Sequence, residues 1–141
     1  MNAHANLHTR PAHTAVDSSA FVHLAKQRAV LLTTYRRDGR AVATPVNIAV
    51  DGDHAYFRTW DAAGKTKRIR RNPMVEVAPC TMSGKVTGAS MHARARLLDG
   101  DEARHAADLI EHKHRVLQGI LVPLAHKLQR QKTVHFVLTA I

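Results

Sequence analysis

The amino-acid sequence predicts a mainly-β protein of the α+β class, with about six antiparallel strands that form a barrel or a partly open barrel flanked by helices. The strongest indication is a pair of Asp-Gly turns, Arg37-Asp38-Gly39 and Asp51-Gly52-Asp53, each lying between runs of apolar and β-branched residues. Alternating apolar and polar residues indicate further strands along the chain. Six twisted strands with so few long helices favour a barrel over an open sheet. The predicted strands span residues 29–35, 40–50, 54–60, 74–78, 91–98 and 133–141.

Helix signals lie before, between and after these strands. Ser18 or Ser19 can cap a first, short helix. The turn that begins at Asp99 caps a long helix, which Gly119 ends. The predicted helices span residues 18–27, 65–71, 99–119 and 120–130.

Length and composition indicate a single globular domain. The chain has 141 residues, enough for one core, and 45% of them are hydrophobic. Residues 1–17 are polar and lack periodicity, so we expect a flexible N-terminal arm before a barrel domain at 18–141.

A single cysteine excludes an internal disulfide and a multi-cysteine zinc site. No apolar run is long enough to span a membrane, and the first 20 residues lack a signal-peptide core, so we expect a cytoplasmic protein without a membrane partner.

The charge of the chain indicates an anionic partner. Lys and Arg number 21 against 11 Asp and Glu, which gives a net charge of +10. Such an excess is typical of proteins that bind a phosphorylated cofactor, a nucleic acid or an acidic membrane.

The most basic segment of the chain is 59–73, which ends in the helix-stopping pair Asn72-Pro73. A short helix here would be anchored by one bulky apolar residue, Ile69. Its first turn, opened by Gly64, would present free backbone N–H groups and the positive end of the helix dipole. The segment therefore predicts a phosphate-binding site, with a solvated basic helix as the alternative. Its cations are Lys65, Lys67, Arg68, Arg70 and Arg71.

Pro45 lies inside the second predicted strand. Because proline donates no hydrogen bond to a ladder, this strand should lie at an edge or carry a bulge, and Thr44 before it should be extended. Two interpretations remain open at this point: an edge protected against pairing, or backbone that faces a flat ligand.

No catalytic acid, base or nucleophile is evident. His105, His112 and His114 on the long helix lack a metal-binding spacing, so no metal site is predicted. Cys80 follows Pro79 and is expected to be a small buried residue. With the catalytic residues unknown, any reaction would be carried by a cofactor.

Five short motifs give the chain a family resemblance. They are Asp38-Gly39-Arg40, Thr44-Pro45-Val46-Asn47, Tyr56-Phe57-Arg58-Thr59, Gly64-Lys65-Thr66-Lys67-Arg68 and Arg71-Asn72-Pro73. In these motifs the chain resembles the flavin/deazaflavin oxidoreductases, the split β-barrel family that includes pyridoxamine-phosphate oxidase. It most resembles a subgroup of small proteins that use coenzyme F420. The resemblance covers residues 22–98 and implies a six-stranded antiparallel split β-barrel and a homodimer that shares its cofactor sites.

The resemblance also implies cofactor-binding residues. Lys65 and Lys67 would bind the phosphate, aided by Thr59 and the backbone at Thr66, and residues 44–47 would line the flat ring. Ala63 departs from the family pattern, where Ser or Thr is frequent, so one hydroxyl contact is missing. The implied set is Thr44, Pro45, Val46, Asn47, Thr59, Lys65, Thr66, Lys67, Arg68, Asn72, Pro79 and Cys80.

The cofactor is expected to be F420, with flavin mononucleotide (FMN) as the alternative. The oligoglutamate tail of F420 calls for a broad basic track, which the arginines at 68, 70 and 71, and those at 36, 37 and 40, would supply. The expected reaction is hydride transfer between the cofactor and a small unsaturated substrate. A nucleic-acid-binding barrel is the rival interpretation, but the chain has few aromatic residues for base stacking.

Overall fold

The computed structural model describes residues 20–118 and 132–141, without the side chains of 116–118. A one-turn 3-10 helix, Val22–Leu24, comes first. The strands are β1 Ala29–Tyr35, β2 Ala41–Asp51, β3 His54–Trp60, β4 Met74–Cys80, β5 Met91–Leu97 and β6 Thr133–Ala140. The α-helices in this part of the chain are α1 Gly64–Arg71 and α2 Gly100–Gln118. The predicted arm at 1–17, the cap at Ser18 or Ser19 and the helix at 120–130 lie outside the described residues.

The six strands form a closed antiparallel barrel in the order β1-β2-β3-β6-β5-β4. The predicted fold class is therefore confirmed. Alternate side chains of each strand fill the barrel, and at its centre the rings of Phe57 and Phe136 stack with centroids 5.0 Å apart. Both phenylalanines are fully buried.

β2 changes its partners along its length, and this change opens the barrel wall. It pairs with β1 over Ala41–Asn47, but with β3 only over Ile48–Asp51. Before Ile48, the edge of β2 that would face β3 therefore has no strand partner. Pro45 lies in this half of the strand, so the predicted edge position is confirmed.

Three local predictions were wrong. β4 does not end before Pro79 but continues to Cys80, because it still pairs with β1 after its pairing with β5 stops at Val77. The strand predicted over 91–98 ends one residue early, at Leu97, which is 39% exposed; Leu98 is buried against Ala106 and Val137. The first helix is only the 3-10 turn.

α2 covers the outer face of β2, β3 and β6. Ala106 and Ile110 are fully buried on its inner side. The Nζ of Lys113 donates a hydrogen bond to the Ile48 carbonyl (2.6 Å), which ties α2 to β2 at the point where β2 and β3 separate. Burial lowers the pKa of Lys113 to about 8. None of the helices described is long and apolar enough to cross a membrane.

Candidate functional site

A cleft of about 280 Å³ lies where β2 and β3 separate. Had the two strands continued to pair beyond Ile48 and Phe57, residues 45–47 would have opposed residues 58–60. Those same residues instead form the walls of the cleft. Its lining residues are Pro45, Val46 and Asn47 on β2, Arg58, Thr59 and Trp60 on β3, Lys65 on α1 and Thr133 on β6.

The cleft opens on the outer surface of the barrel. Val46 belongs to the barrel core, so alternation along β2 turns its neighbours Pro45 and Asn47 outward. The same alternation around the buried Phe57 turns Arg58 and Trp60 outward on β3. Because β2 has no strand partner on this side, its backbone N–H and C=O groups are available to a ligand.

α1 is held against the barrel by its buried side. Ile69 is buried as predicted, and Thr66 is fully buried, with its hydroxyl donating to the Trp60 carbonyl (2.7 Å). Ala63, at the N-cap, is extended and provides no side-chain cap, so the first turn lacks a capping hydroxyl. This arrangement places Lys65 beside the end of β3, in the wall of the cleft.

Two cations, Lys65 and Arg58, face the cleft without a carboxylate among its lining residues. Burial, and then the charge of Arg68, lower the pKa of Lys65 below its ordinary value. Burial also lowers the pKa of Arg58, an effect opposed by the charge of Glu111. Within residues 20–118 and 132–141, neither cation has a hydrogen bond or an ion pair. Partly desolvated cations without an ion-pair partner favour an anionic ligand.

The structure brings five of the predicted cofactor-binding residues together in the cleft, namely Pro45, Val46, Asn47, Thr59 and Lys65. Thr44 is adjacent on β2, and Lys67 is exposed on α1. The remaining predicted residues are engaged within the fold. The Thr66 amide donates to the Ala63 carbonyl (3.1 Å), and Arg68 Nε donates to the Thr34 hydroxyl (2.6 Å).

The other three predicted residues lie at the two ends of β4. The Asn72 side chain accepts a hydrogen bond from the Met74 amide (3.1 Å) just before β4 begins. Pro79 and Cys80 pair with β1 and line no part of the cleft. Cys80 is buried, as expected, and burial raises the pKa of its thiol.

Sequence reasoning did not assign Arg58, Trp60 and Thr133 to the site. Arg58 and Trp60 were within reach of prediction, since the turn at Gly52 sets the register that places residues 58–60 opposite 45–47. No local sequence pattern could have assigned Thr133 to the site, because its position in the cleft depends on the long-range pairing of β6 with β3.

Across the described ranges, no group of three or more His, Cys, Asp or Glu side chains is placed to bind a metal ion.

A six-stranded barrel whose wall separates around a cationic cleft defines a protein of the split β-barrel class. The chain belongs to the pyridoxamine 5'-phosphate oxidase family, whose sequence profile matches residues 19–137. A sequence comparison with curated proteins finds no match.

Solved structures share the fold at low sequence identity. A Listeria innocua protein provisionally named a pyridoxamine 5'-phosphate oxidase is 19% identical, with a TM-score of 0.60 over 89% of this chain and 93% of its own. A protein named F420 reductase is 20% identical, with a TM-score of 0.57 over 84% of this chain and 91% of its own. A haem storage protein from Vibrio cholerae is 11% identical, with a TM-score of 0.62 over 88% of this chain and 90% of its own.

Proposed function

We propose that this protein is an F420-dependent oxidoreductase that transfers a hydride between the deazaflavin and a small unsaturated substrate bound at the cleft. The observation that carries the proposal is a cleft with two partly buried, unpaired cations and no acidic lining residue, set where the barrel wall separates. Membership of a family of flavin-type oxidoreductases supports it, as does the likeness to the F420 reductase.

The residues of the cleft fit such a cofactor. Lys65 and the uncapped first turn of α1 would hold the phosphate, with Lys67 exposed on the same turn. Residues 45–47 would lie along the ring, where the unpaired edge of β2 offers backbone donors and acceptors. The bound cofactor supplies the two-electron hydride chemistry, while the chain binds it, orients it and excludes water.

The distribution of arginines favours F420 over FMN. Arg70 pairs with Asp61 (2.9 Å) and Arg40 with Asp38 (2.9 Å), so these two contribute less free charge than the sequence suggested. Arg71 donates a hydrogen bond to the Tyr35 carbonyl (3.3 Å), so the end of α1 lies beside the β1–β2 turn. This turn carries two exposed arginines, Arg36 and Arg37, which form with Arg71 a track of positive charge. Such a track matches a tail of several carboxylates better than one phosphate.

A haem ligand is less well supported, because none of the cleft's lining residues is His, Cys, Met or Tyr. The nucleic-acid interpretation is also weaker, since Trp60 is the only aromatic residue among them.

The proposed assembly is a homodimer whose cofactor sites use both chains. A cleft open on the outer surface covers one side of a flat ring, and a second copy would supply the other wall and exclude water. Light scattering during size exclusion should then give about twice the 15.6 kDa chain mass. A monomer that binds cofactor with full affinity would contradict this assembly.

Parallel fluorescence titrations with F420 and FMN test the cofactor. We expect F420 to bind more tightly, because only its tail can reach the arginine track. Tighter FMN binding would support a flavin oxidase or reductase instead. Strongly salt-dependent binding of an oligonucleotide, with neither cofactor bound, would support the nucleic-acid interpretation.

A further inference from the structure

Arg58 lies at the closed end of the cleft, separate from the basic helix. It follows Phe57, which forms with Ile48 the last pair between β3 and β2 before the strands separate. Lys65 lies beyond the other end, after β3 has finished at Trp60. Arg58 and Trp60 are two positions apart on β3, about 7 Å along the strand. The cleft therefore carries positive charge at both ends, on two different elements.

Among the described residues, no carboxylate forms an ion pair with Arg58. It pairs with His135 of β6 through the backbone register, and His114 of α2 lies within its electrostatic reach. Burial is the largest of the effects that lower the pKa of both histidines, which favours their uncharged forms. The charge of Glu111 also reaches Arg58, but the two form no ion pair.

A hydroxyl group in the same cleft also lacks a hydrogen-bond partner among the described residues. Thr133 Oγ1 is buried and, within the described residues, makes no hydrogen bond, although Thr133 lines the same cleft. The register places Thr133 opposite Trp60 and His135 opposite Arg58, so Thr133 and Arg58 lie on neighbouring strands and face the same side. A guanidinium with a hydroxyl donor on the same face of the neighbouring strand suits a planar, two-oxygen anion, which a carboxylate provides.

We propose that Arg58, assisted by Thr133, binds a carboxylate of the substrate, so that the substrates of this cleft are small unsaturated acids. The proposal rests on the proposed function, in which Lys65 and the first turn of α1 hold the cofactor phosphate. Arg58 then discriminates an acid from its uncharged analogue and contributes little to cofactor affinity.

The test compares cinnamate with cinnamamide, which has nearly the same shape but no charge. Calorimetric titrations are made on the full chain, with and without F420. We expect wild type to prefer the acid by about tenfold or more, as a hydrogen bond between charged groups predicts. The Arg58→Gln variant should bind both compounds nearly equally and keep wild-type affinity for F420. Arg94→Gln is the matched control, because Arg94 is also an outward strand arginine but lies on β5, and it should retain the preference.

Arg58→Lys keeps the test decisive if the glutamine variant does not fold. An ammonium group keeps the charge but lacks the planar fork, so the preference for the acid should fall below that of wild type. An unchanged preference in either variant, or no preference in wild type, would overturn the proposal. A loss of F420 affinity in Arg58→Gln as large as that of a Lys65 variant would overturn it as well, and would assign Arg58 to the cofactor. Failure of wild type to bind F420 would instead contradict the proposed function, and the acid–amide preference can still be measured without the cofactor.

Discussion

The first and last turns of α1 carry similar charge but use it differently. In the last turn, Arg68 donates to buried Thr34, Arg70 pairs with Asp61, and Arg71 donates to the Tyr35 carbonyl. In the first turn, the side chains of Lys65 and Lys67 form no hydrogen bond or ion pair with the residues that the structure describes. One end of the helix is therefore attached to the barrel by its cations, whereas the other end leaves its cations available.

Within the eight residues of α1, the cations of the last turn should therefore affect the stability of the fold, and those of the first turn should affect ligand binding. Cations that have protein partners help to hold the helix in place, and their loss should lower the free energy of unfolding. Cations without partners contribute little to stability, but a bound anion would gain their full interaction. The sequence presented α1 as one uniform basic segment, and the contacts of the fold divide it.

The largest expected effect is the weakening of cofactor binding by the substitution Lys65→Ala. We expect the affinity for F420 to fall by about 1.5–3 kcal/mol, the range for a hydrogen bond to a charged group. The melting temperature of the cofactor-free protein should stay almost unchanged. Lys67→Ala should have a smaller effect, because Lys67 is exposed and lines no part of the cleft.

Arg104→Ala is the control, since Arg104 is exposed on α2. Fluorescence titration and thermal melting measure the two quantities. Equal F420 affinity in all three variants would show that the first turn is only a solvated surface.

Arg68→Ala should show the opposite pattern. Its loss removes the hydrogen bond to the Thr34 hydroxyl, whose remaining contact, with the Val42 carbonyl, is long (3.5 Å). Urea unfolding should show a loss of about 1 kcal/mol of stability, with cofactor affinity changed less than in Lys65→Ala. A variant with intact stability and weak F420 binding would place Arg68 in the cofactor site after all.

The smallest expected effect is a pH dependence of F420 affinity, which should come from Lys65 in the first turn of α1 and not from the arginines of its last turn. Burial and the neighbouring Arg68 lower the pKa of Lys65, so its charge is lost at a lower pH than that of an ordinary lysine. Because the charged form binds the phosphate, F420 affinity should decline as pH rises through that range.

Lys65→Arg should remove this decline, since arginine stays charged throughout. Titrations at a series of alkaline pH values measure the effect. An identical decline in wild type and Lys65→Arg would assign the pH dependence to another group.

The sequence alone determined the fold class, most strand boundaries and the anchoring of α1 by Ile69. These features depend on local signals, such as Asp-Gly turns, alternation over a few residues and a helix stop at Asn72-Pro73. The residues that the family motifs indicated, Pro45 to Asn47 and Lys65, line one cleft, and their role in cofactor binding stays a prediction.

Tertiary structure decided which polar side chains of the described residues form hydrogen bonds or ion pairs within the protein and which do not. Arg68 and Thr66 are engaged because Thr34 and the Trp60 carbonyl lie beside them, at sequence separations of 34 and 6 residues. Arg58 and Thr133 share a cleft only because β6 closes the barrel against β3. A residue's type determines the charge or hydroxyl that it carries, but its partners come from distant parts of the chain, so no local pattern can show whether that group is satisfied.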